Sequence, residues 1–582
     1  MKKITITFLS LIFLTIGCSE EFTDIDSIGT LSNTQLDNDK GVNLLLTGAY
    51  SVLDGIRQNS QGNEWGRSAD NWVMDVISDD AHKGSTDSDQ ADLFSLEMYN
   101  WSTGNGYFLA RWSVLYAGVN RANAVIDLIL KSATPSEYDE QHAQARFLRG
   151  HFNFELVKIF GSVPLITSQN YADKDFNQVN ATKDALWAAI EDDFKFAKEN
   201  LPGSYGGAYS QRGRPLKWAA AAFLGKAHLY QKEWGLALTE LEEVISSGVY
   251  GLHPNQLDNF MSATENGVEA IFAIQYSADD AQSKQGNATG ALNYTIGVNS
   301  GGGAWCCGFY QPTQDLVDAY QTEDGLPLLE TYQNTHVKND FGLYSYVRDE
   351  NDDPTTELTP FTPSTVPLDP RLDFTVGRRG IDYNGFGVNL GQSWVRASFA
   401  DISGPYLSKK NVFTNGDSAN SGVGGWGQNL SGLNYHIMRY ADVLLMAAEA
   451  NVESNKLTAG QDLVNVVRKR AKEMARVKDA AGNDAANYEI EEYTTPWTVQ
   501  ETARQAVRFE RRLELAMEGH RSFDLRRWEV AETVMAKYIS EEGETIIPFA
   551  KGQSFQSKHT LFPIPLNAID GSGEIITQNP GF

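Results

Sequence analysis

Residues 508–528 read RFERRLELAMEGHRSFDLRRW. Phe509, Leu513, Ala516 and Met517 recur at three- and four-residue intervals, which places them on one face of a helix. The other faces are crowded with charge: Arg511 with Glu514, Glu518 with Arg521, Arg521 with Asp524, and Asp524 with Arg527 are opposite-sign pairs at i,i+3. Gly519 interrupts the run, either as a bend or to admit another backbone. The stretch predicts a packed helix laced with ion pairs. Glu514, Glu518, His520 and Asp524 also lie close enough in sequence to suggest acid–base chemistry. That chemistry needs groups tuned by burial and facing a cavity, which spacing alone does not supply, so packing is the preferred reading.

Working outward, helical periodicity recurs at 37–53, 107–130, 137–160, 183–200, 216–232, 235–246, 436–453 and 459–475. Ala219, Ala220, Ala222, Gly225 and Ala227 supply small residues for close helix packing. A pair such as 216–246 is about as long as one tetratricopeptide repeat, with comparable small and large positions, while the spacing between pairs is irregular. The prediction is a mostly α fold of degenerate tetratricopeptide-like helical pairs, in parts 37–250 and 435–582, a scaffold suited to docking other proteins. Between 252 and 435 glycine, asparagine, serine and proline become frequent, and short apolar runs such as 270–276 suggest strands. This is expected to be a loop-rich, partly β ligand-binding lobe laid over the helices. Residues 57–70 read as a polar loop. Residues 78–92 read as an acidic, solvated loop lacking the glycine and terminal glutamate of an EF-hand. GVGGWG at 422–427 formally matches GxGxxG but follows no clear strand and opens no helix, so it is no dinucleotide fingerprint.

The chain has 582 residues, 41% hydrophobic and 21% charged, as for an ordinary globular protein, and a formal net charge of −27. That charge repels nucleic acid and works against strongly anionic substrates such as alginate or pectate. No interior run reaches the ~18 apolar residues of a membrane span. Residues 1–17 read as a signal peptide: Lys2 and Lys3, an apolar run from Ile4 to Ile16, then Gly17 and Cys18. The end of this segment resembles a bacterial lipobox, with Thr15 where leucine is usual, and marks Cys18 as the lipidation site over a buried helix or an ordinary signal peptide. The other two cysteines, Cys306 and Cys307, are adjacent. Neighbouring Cα atoms lie ~3.8 Å apart, below the usual ~4.4–6.8 Å disulfide span, so a strained vicinal disulfide and two free thiols both stay open. No CxxC or nearby histidine supports a metal there, and no metal or cofactor is expected. No HExxH, GxSxG or P-loop occurs.

Four blocks carry a resemblance: ARFLRGHFNFELVKIFGSVPLI (145–166), RYADVLLMAAEAN (439–451), the stretch at 508–528, and the chain end LFPIP…QNPGF (561–582). In this order they resemble the SusD/RagB family, the outer-membrane nutrient-binding lipoproteins of Bacteroidota. The acidic residues after Cys18 resemble the surface-export signal of such lipoproteins. The resemblance implies tetratricopeptide-like helices and a protein lipid-anchored to the cell outer membrane. It also implies a SusC-like TonB-dependent transporter as partner and an oligosaccharide or polysaccharide as ligand. Peptide capture, as in the RagB branch, is the alternative. A glycoside hydrolase is the third reading, since two carboxylates suffice for that chemistry and nothing marks such a pair.

Sugar rings present flat C–H faces that stack on exposed aromatic rings, so aromatics beside glycines in loops are the candidates. Tyr99, Asn100 and Trp101 precede Gly104, and Trp305 follows Gly301–Gly303 and precedes Cys306, Cys307 and Tyr310. In the family, ligand aromatics sit before the first long helices and in the mid-chain lobe, places that Trp101 and Trp305 match. The expectation is one shallow, solvent-open site lined by Trp101 and Trp305 with Tyr99, Asn100 and Tyr310 close by. Trp394 and Trp426 are next in line, and Trp65 and Trp72 flank the early polar loop.

Overall fold

Among the described residues of the computed structural model, ten helices of twelve or more residues carry the scaffold. The structure describes residues 36–582 apart from 56–60, 69, 279–307, 345, 396–402, 424–428, 480 and 550–551. Cys18, Trp305, Cys306, Cys307 and Trp426 therefore lie outside the described residues. The helices are α1 (Asp39–Tyr50), α2 (Gly106–Lys131), α3 (Asp139–Phe160), α4 (Lys183–Asn200) and α5 (Lys217–Tyr230). They continue as α6 (Trp234–Ser246), α7 (Tyr440–Glu453), α8 (Leu457–Glu473), α9 (Gln500–Leu515) and α10 (Ala531–Glu542). Side-chain caps start several of them: Asn38 accepts from the Gly41 N–H, Asn105 from Tyr107 and Thr182 from Ala185. Gly161, at φ 76°, ends α3.

Each helix packs on the next, α2 on α3, α3 on α4, α4 on α5 and α5 on α6. The stack then continues from α6 directly to α7, although almost two hundred residues separate them, and α7 packs on α8 and α9. Small residues permit the close approach. Ala219, Ala220, Ala222 and Ala227 are fully buried, and a Cβ at Gly225 would lie 2.8 Å from Leu241 on α6. Phe147 of α3 meets Phe194 of α4, Phe223 of α5 and Phe272 at ring separations of 5.7, 5.2 and 4.9 Å. Phe272 belongs to strand β1 (Ala270–Ile274), which pairs antiparallel with β2 (Tyr435–Arg439). The helix expected from 436 thus starts at Tyr440, after a strand. Between β1 and β2 the chain forms short two-stranded pairs, the helix Gln314–Ala319 and a small core of Tyr383, Val395, Leu407, Val412, Phe413 and Leu433. The fold is the mostly helical one expected, with a loop-rich, partly β region laid on it. Among the described residues no helix is long and apolar enough to cross a membrane.

The stretch at 508–528 is not one helix. α9 ends at Leu515, Met517 and Gly519 take φ of 62° and 74°, and a short helix Arg521–Arg527 follows. Gly519 serves both expected purposes, since a Cβ there would also meet the Asp70 carbonyl oxygen at 2.6 Å. Of the four expected i,i+3 pairs, Asp524 with Arg527 forms at 2.8 Å. The other three are replaced by distant partners. Glu514 accepts from Arg439 at 2.7 Å, from Arg371 at 3.1 Å and from Arg470. Glu518 accepts from Arg439 and Lys410, Arg511 donates to Asp442 and Asp524, and Arg521 pairs with Asp79 at 2.7 Å. Arg512 reaches Asp80 at 2.8 Å and Asp315 at 2.6 Å. Lys410 also donates to the Glu514 and Ala516 carbonyls, the orphan acceptors at the end of α9.

These side chains are buried, and charges that lose water need partners wherever the fold can supply them. Here the suppliers are the lobe (Arg371, Lys410, Asp315), β2 (Arg439), α7 (Asp442), α8 (Arg470) and the segment 79–80 (Asp79, Asp80). The acidic run at 78–92 is corrected accordingly: Asp79 and Asp80 are fully buried counter-ions, and exposure begins only near Asp87.

Candidate functional site

The segment 99–101 follows the short helix Ala91–Glu97 and precedes α2. Tyr99 takes φ 53°, which turns the chain inward rather than out. Trp101 is only 7% exposed, and its Nε1–H donates to the Leu96 carbonyl at 2.9 Å. Its ring meets Phe108 and Phe562 edge-on at 5.7 and 5.3 Å and lies parallel to Phe582 at 6.3 Å. Phe562 and Phe582, from the end of the chain, pack against it, so the expected open Trp101 platform is corrected: the ring is core. Tyr99 is buried beside Phe555 at 5.3 Å, and its hydroxyl donates to the Ile77 carbonyl at 3.4 Å. Asn100 is exposed, its backbone bonded to Ser95.

Tyr310 is likewise corrected from a surface group to a buried one, 1% exposed. Its hydroxyl donates to Asp75 Oδ2, which also accepts the Gly519 N–H at 2.7 Å. Trp72 lies edge-on to Tyr310 at 6.0 Å. Burial, and after it the nearby Asp80, push the Asp75 carboxyl up to about 8 against the lowering effect of those two bonds, so it holds its proton at neutral pH. Tyr99 and Tyr310 therefore brace one feature, the short helix Trp72–Val76 and its following residue, while Trp101 belongs to the C-terminal cluster. Trp101, Tyr99, Asn100 and Tyr310, the four of the five expected residues that are described, do not form one open site, and Trp305 lies outside the described residues. Trp65 and Trp72 are buried, and Trp394 is half-buried against Tyr383 at 6.1 Å.

Polar recesses lie elsewhere. One of about 190 Å³ between the lobe and the end of α10 is lined by Gln314, Gln333, His336, Asn339, Tyr406 and Glu541 among others. Tyr406 and Asn339 both donate to Gln314 Oε1. Asp318, raised by burial to about 6, accepts from His336 at 2.6 Å, and that hydrogen bond raises the exposed imidazole. A wider groove of about 750 Å³ runs between α1 and β1 and offers Asn43, Thr47, Tyr50, Gln211, Arg214 and Gln275. Amides, hydroxyls and a guanidinium beside half-apolar walls are donors and acceptors for a hydroxyl-rich ligand. The groove falls within the ~300–1,000 Å³ range of ligand sites, and the recess lies below it. Neither was legible in sequence, because each joins segments far apart along the chain. Glu191, His228 and Glu233 bring their ligand atoms within 4.8 Å of one another, but as placed they are met by neighbours, His228 by Glu233 at 2.7 Å and Glu191 by Gln231 at 2.6 Å.

The acid–base candidates of the 508–528 stretch are locked. Burial would raise the Glu514 carboxyl, but Arg470, Arg439 and Arg371 override it and hold it well below the usual range; Arg439 and Lys410 likewise hold Glu518 at about 2. Burial lowers the His520 imidazole to about 4. None of these changes protonation near neutral pH, which general acid–base work requires.

A family model described as the SusD family matches residues 268–582, and one described as "Starch-binding associating with outer membrane" matches 22–229. SusD-like protein P25 of Formosa agariphila is 25% identical over 97% of this chain and 96% of its own. A SusD-like protein from Bacteroides fragilis superposes with a TM-score of 0.69 at 21% identity, covering 95% of this chain and 99% of the other. Surface glycan-binding protein A from Bacteroides thetaiotaomicron, solved with laminarihexaose, superposes with a TM-score of 0.64 at 19% identity, covering 93% and 99%.

Proposed function

This chain belongs to the SusD family, and from that premise we propose that it is a cell-surface lipoprotein that captures oligo- or polysaccharide and hands it to a SusC-like TonB-dependent outer-membrane transporter. The observation that carries the proposal is the family match over residues 22–229 and 268–582, the second of which takes in most of the lobe. A protein of the same fold holding laminarihexaose supports a glycan as the ligand class. Cys18 carries the lipid in this reading. One acyl chain anchors only marginally, and a bacterial lipoprotein cysteine bears several. The helical pairs dock the transporter over an interface of more than ~1,600 Å², and the lobe faces the ligand. Trp305 stays the proposed stacking platform, with Cys306 and Cys307 beside it, while Tyr99, Trp101 and Tyr310 hold the framework. Delivery needs release as well as capture, so micromolar to millimolar affinity suffices, roughly −8 to −4 kcal/mol.

The test is a glycan array and a peptide library probed with the same purified protein. Retention on glycans and none on peptides supports the proposal. Retention on peptides alone replaces it with RagB-like peptide uptake. Pull-down in mild detergent is expected to recover a large TonB-dependent receptor, and Cys18→Ala to move the protein from the membrane to the soluble fraction.

A further inference from the structure

The chain carries a formal charge of −27, yet one open cleft of about 570 Å³ is walled by Lys158, Lys183, Arg526 and Arg527. Its neighbours on the helix Arg521–Arg527 each have a carboxylate, Arg521 on Asp79 and Arg527 on Glu449 and Asp524. Arg526 has none. Its Nε, Nη1 and Nη2 are all shielded from solvent and meet no hydrogen-bond partner among the described residues. The guanidinium rests between the rings of Phe523 and Phe562, 5.9 and 5.8 Å away. Rings support its plane but accept no in-plane N–H. Burial lowers it to about 10, and the groups opposing that shift are the phenols of Tyr99 and Tyr230 rather than any carboxylate.

The rest of the cleft repeats the sign. Lys183 is exposed at the start of α4 and has no ion pair among the described residues. Lys158 lies 3.9 Å over the Phe523 ring and shares Glu155 with Arg111. The two carboxylates of the lining are turned to water: Glu529 is 74% exposed and tied to Lys232, and Glu532 is exposed. A planar, permanently charged fork without a counter-ion is geometrically matched to a two-oxygen acceptor. The chain's overall negative charge acts weakly here, because salt screens exposed charges beyond ~8 Å at physiological ionic strength.

We propose that this cleft binds an oxyanion, a carboxylate or sulfate ester carried by a saccharide or a free inorganic anion, with exposed Lys183 as the first contact, Arg526 as the bidentate anchor once its side chain turns its covered nitrogens toward the cleft, and Lys158, shared with Glu155, as a flanking charge. The proposal does not depend on the glycan-uptake reading. The test is calorimetry and thermal melting of the full mature chain with sulfate, phosphate, glucuronate and glucose 6-sulfate, against chloride at matched ionic strength and against glucose. Sulfate stabilises many proteins by exclusion from their surface, so the signal is the difference between parent and variant.

The parent is expected to bind at least one oxyanion, Arg526→Met to lose at least tenfold in affinity and Lys183→Met several-fold. In chloride, Arg526→Met is expected to melt no lower than the parent, since it removes an unpaired buried charge. Binding of the sugar acids identifies a saccharide substituent, and binding of the inorganic ions alone identifies a free anion; either supports the site. No oxyanion bound by the parent, or binding undiminished in Arg526→Met, overturns it. Should Arg526→Met not fold, Lys183→Met decides, and unchanged affinity there overturns the proposal.

Discussion

Around Glu514 the C-terminal part of the chain is fastened to the lobe by charge, and around Trp101 it is fastened to the first helices by aromatic rings. Glu514 sits at zero exposure with three arginines from three different elements, while Trp101 sits among Phe108, Phe562 and Phe582. Both regions join segments distant in the chain, 44 to 143 residues apart at Glu514 and more than four hundred between Trp101 and the chain end. The difference lies in what each tolerates. Rings attract without strict direction, so a smaller ring still fills part of the space. A buried carboxylate among guanidiniums has no substitute, because removing it strands several cations in a medium of low dielectric.

The comparison can be broken by substitution. Glu514→Gln is expected to cost most, ~3–5 kcal/mol, since Arg371, Arg439 and Arg470 lose a shared counter-ion; urea unfolding measures it, and a loss below that of a single surface pair would refute the role assigned to the charge centre.

His82 combines both kinds of contact, a ring among Tyr538 and Phe549 that bonds Glu97 at 3.0 Å and faces Glu542 at 3.5 Å. Burial would lower its pKa, but the bonds to Glu542 and Glu97 raise it to about 9. Its folded pKa thus lies above the unfolded 6.5, so its contribution is full below pH 6.5 and is lost as pH rises through about 9. His82→Gln is expected to cost on the order of 3 kcal/mol at pH 6 and much less at pH 10. Equal losses at both pH values would show that the ring is held by packing alone.

Trp101→Phe is expected to cost about 2 kcal/mol, from lost volume and the bond to Leu96, and to leave glycan affinity unchanged; a selective loss of affinity would return this ring to the ligand. Removing the surface pair of Lys478 and Asp484, 54% and 44% exposed, is expected to cost less than ~1 kcal/mol and to vanish in high salt.

The helices were legible because their evidence is local: α2 to α8 fall within a few residues of the periodic stretches. The i,i+3 charge pattern at 508–528 marked that ions would be paired but not with whom, because Asp79 and Asp442 come from other parts of the chain. The same limit governs the site. Glycines beside Tyr99 and Trp101 permit a turn in either direction, and Phe555, Phe562 and Phe582, more than four hundred residues on, decide that it goes inward. The amide-lined recess at Gln314 and the groove beside α1 are likewise products of tertiary placement.

The central claim is capture of a glycan without chemistry. Its most direct measurement is titration of the purified mature chain with a panel of oligosaccharides, followed in the same samples for new reducing ends. The account predicts saturable binding of at least one glycan in the micromolar to millimolar range with no reducing ends released. Growth of reducing ends with protein concentration, or no glycan binding alongside saturable peptide binding, would contradict it.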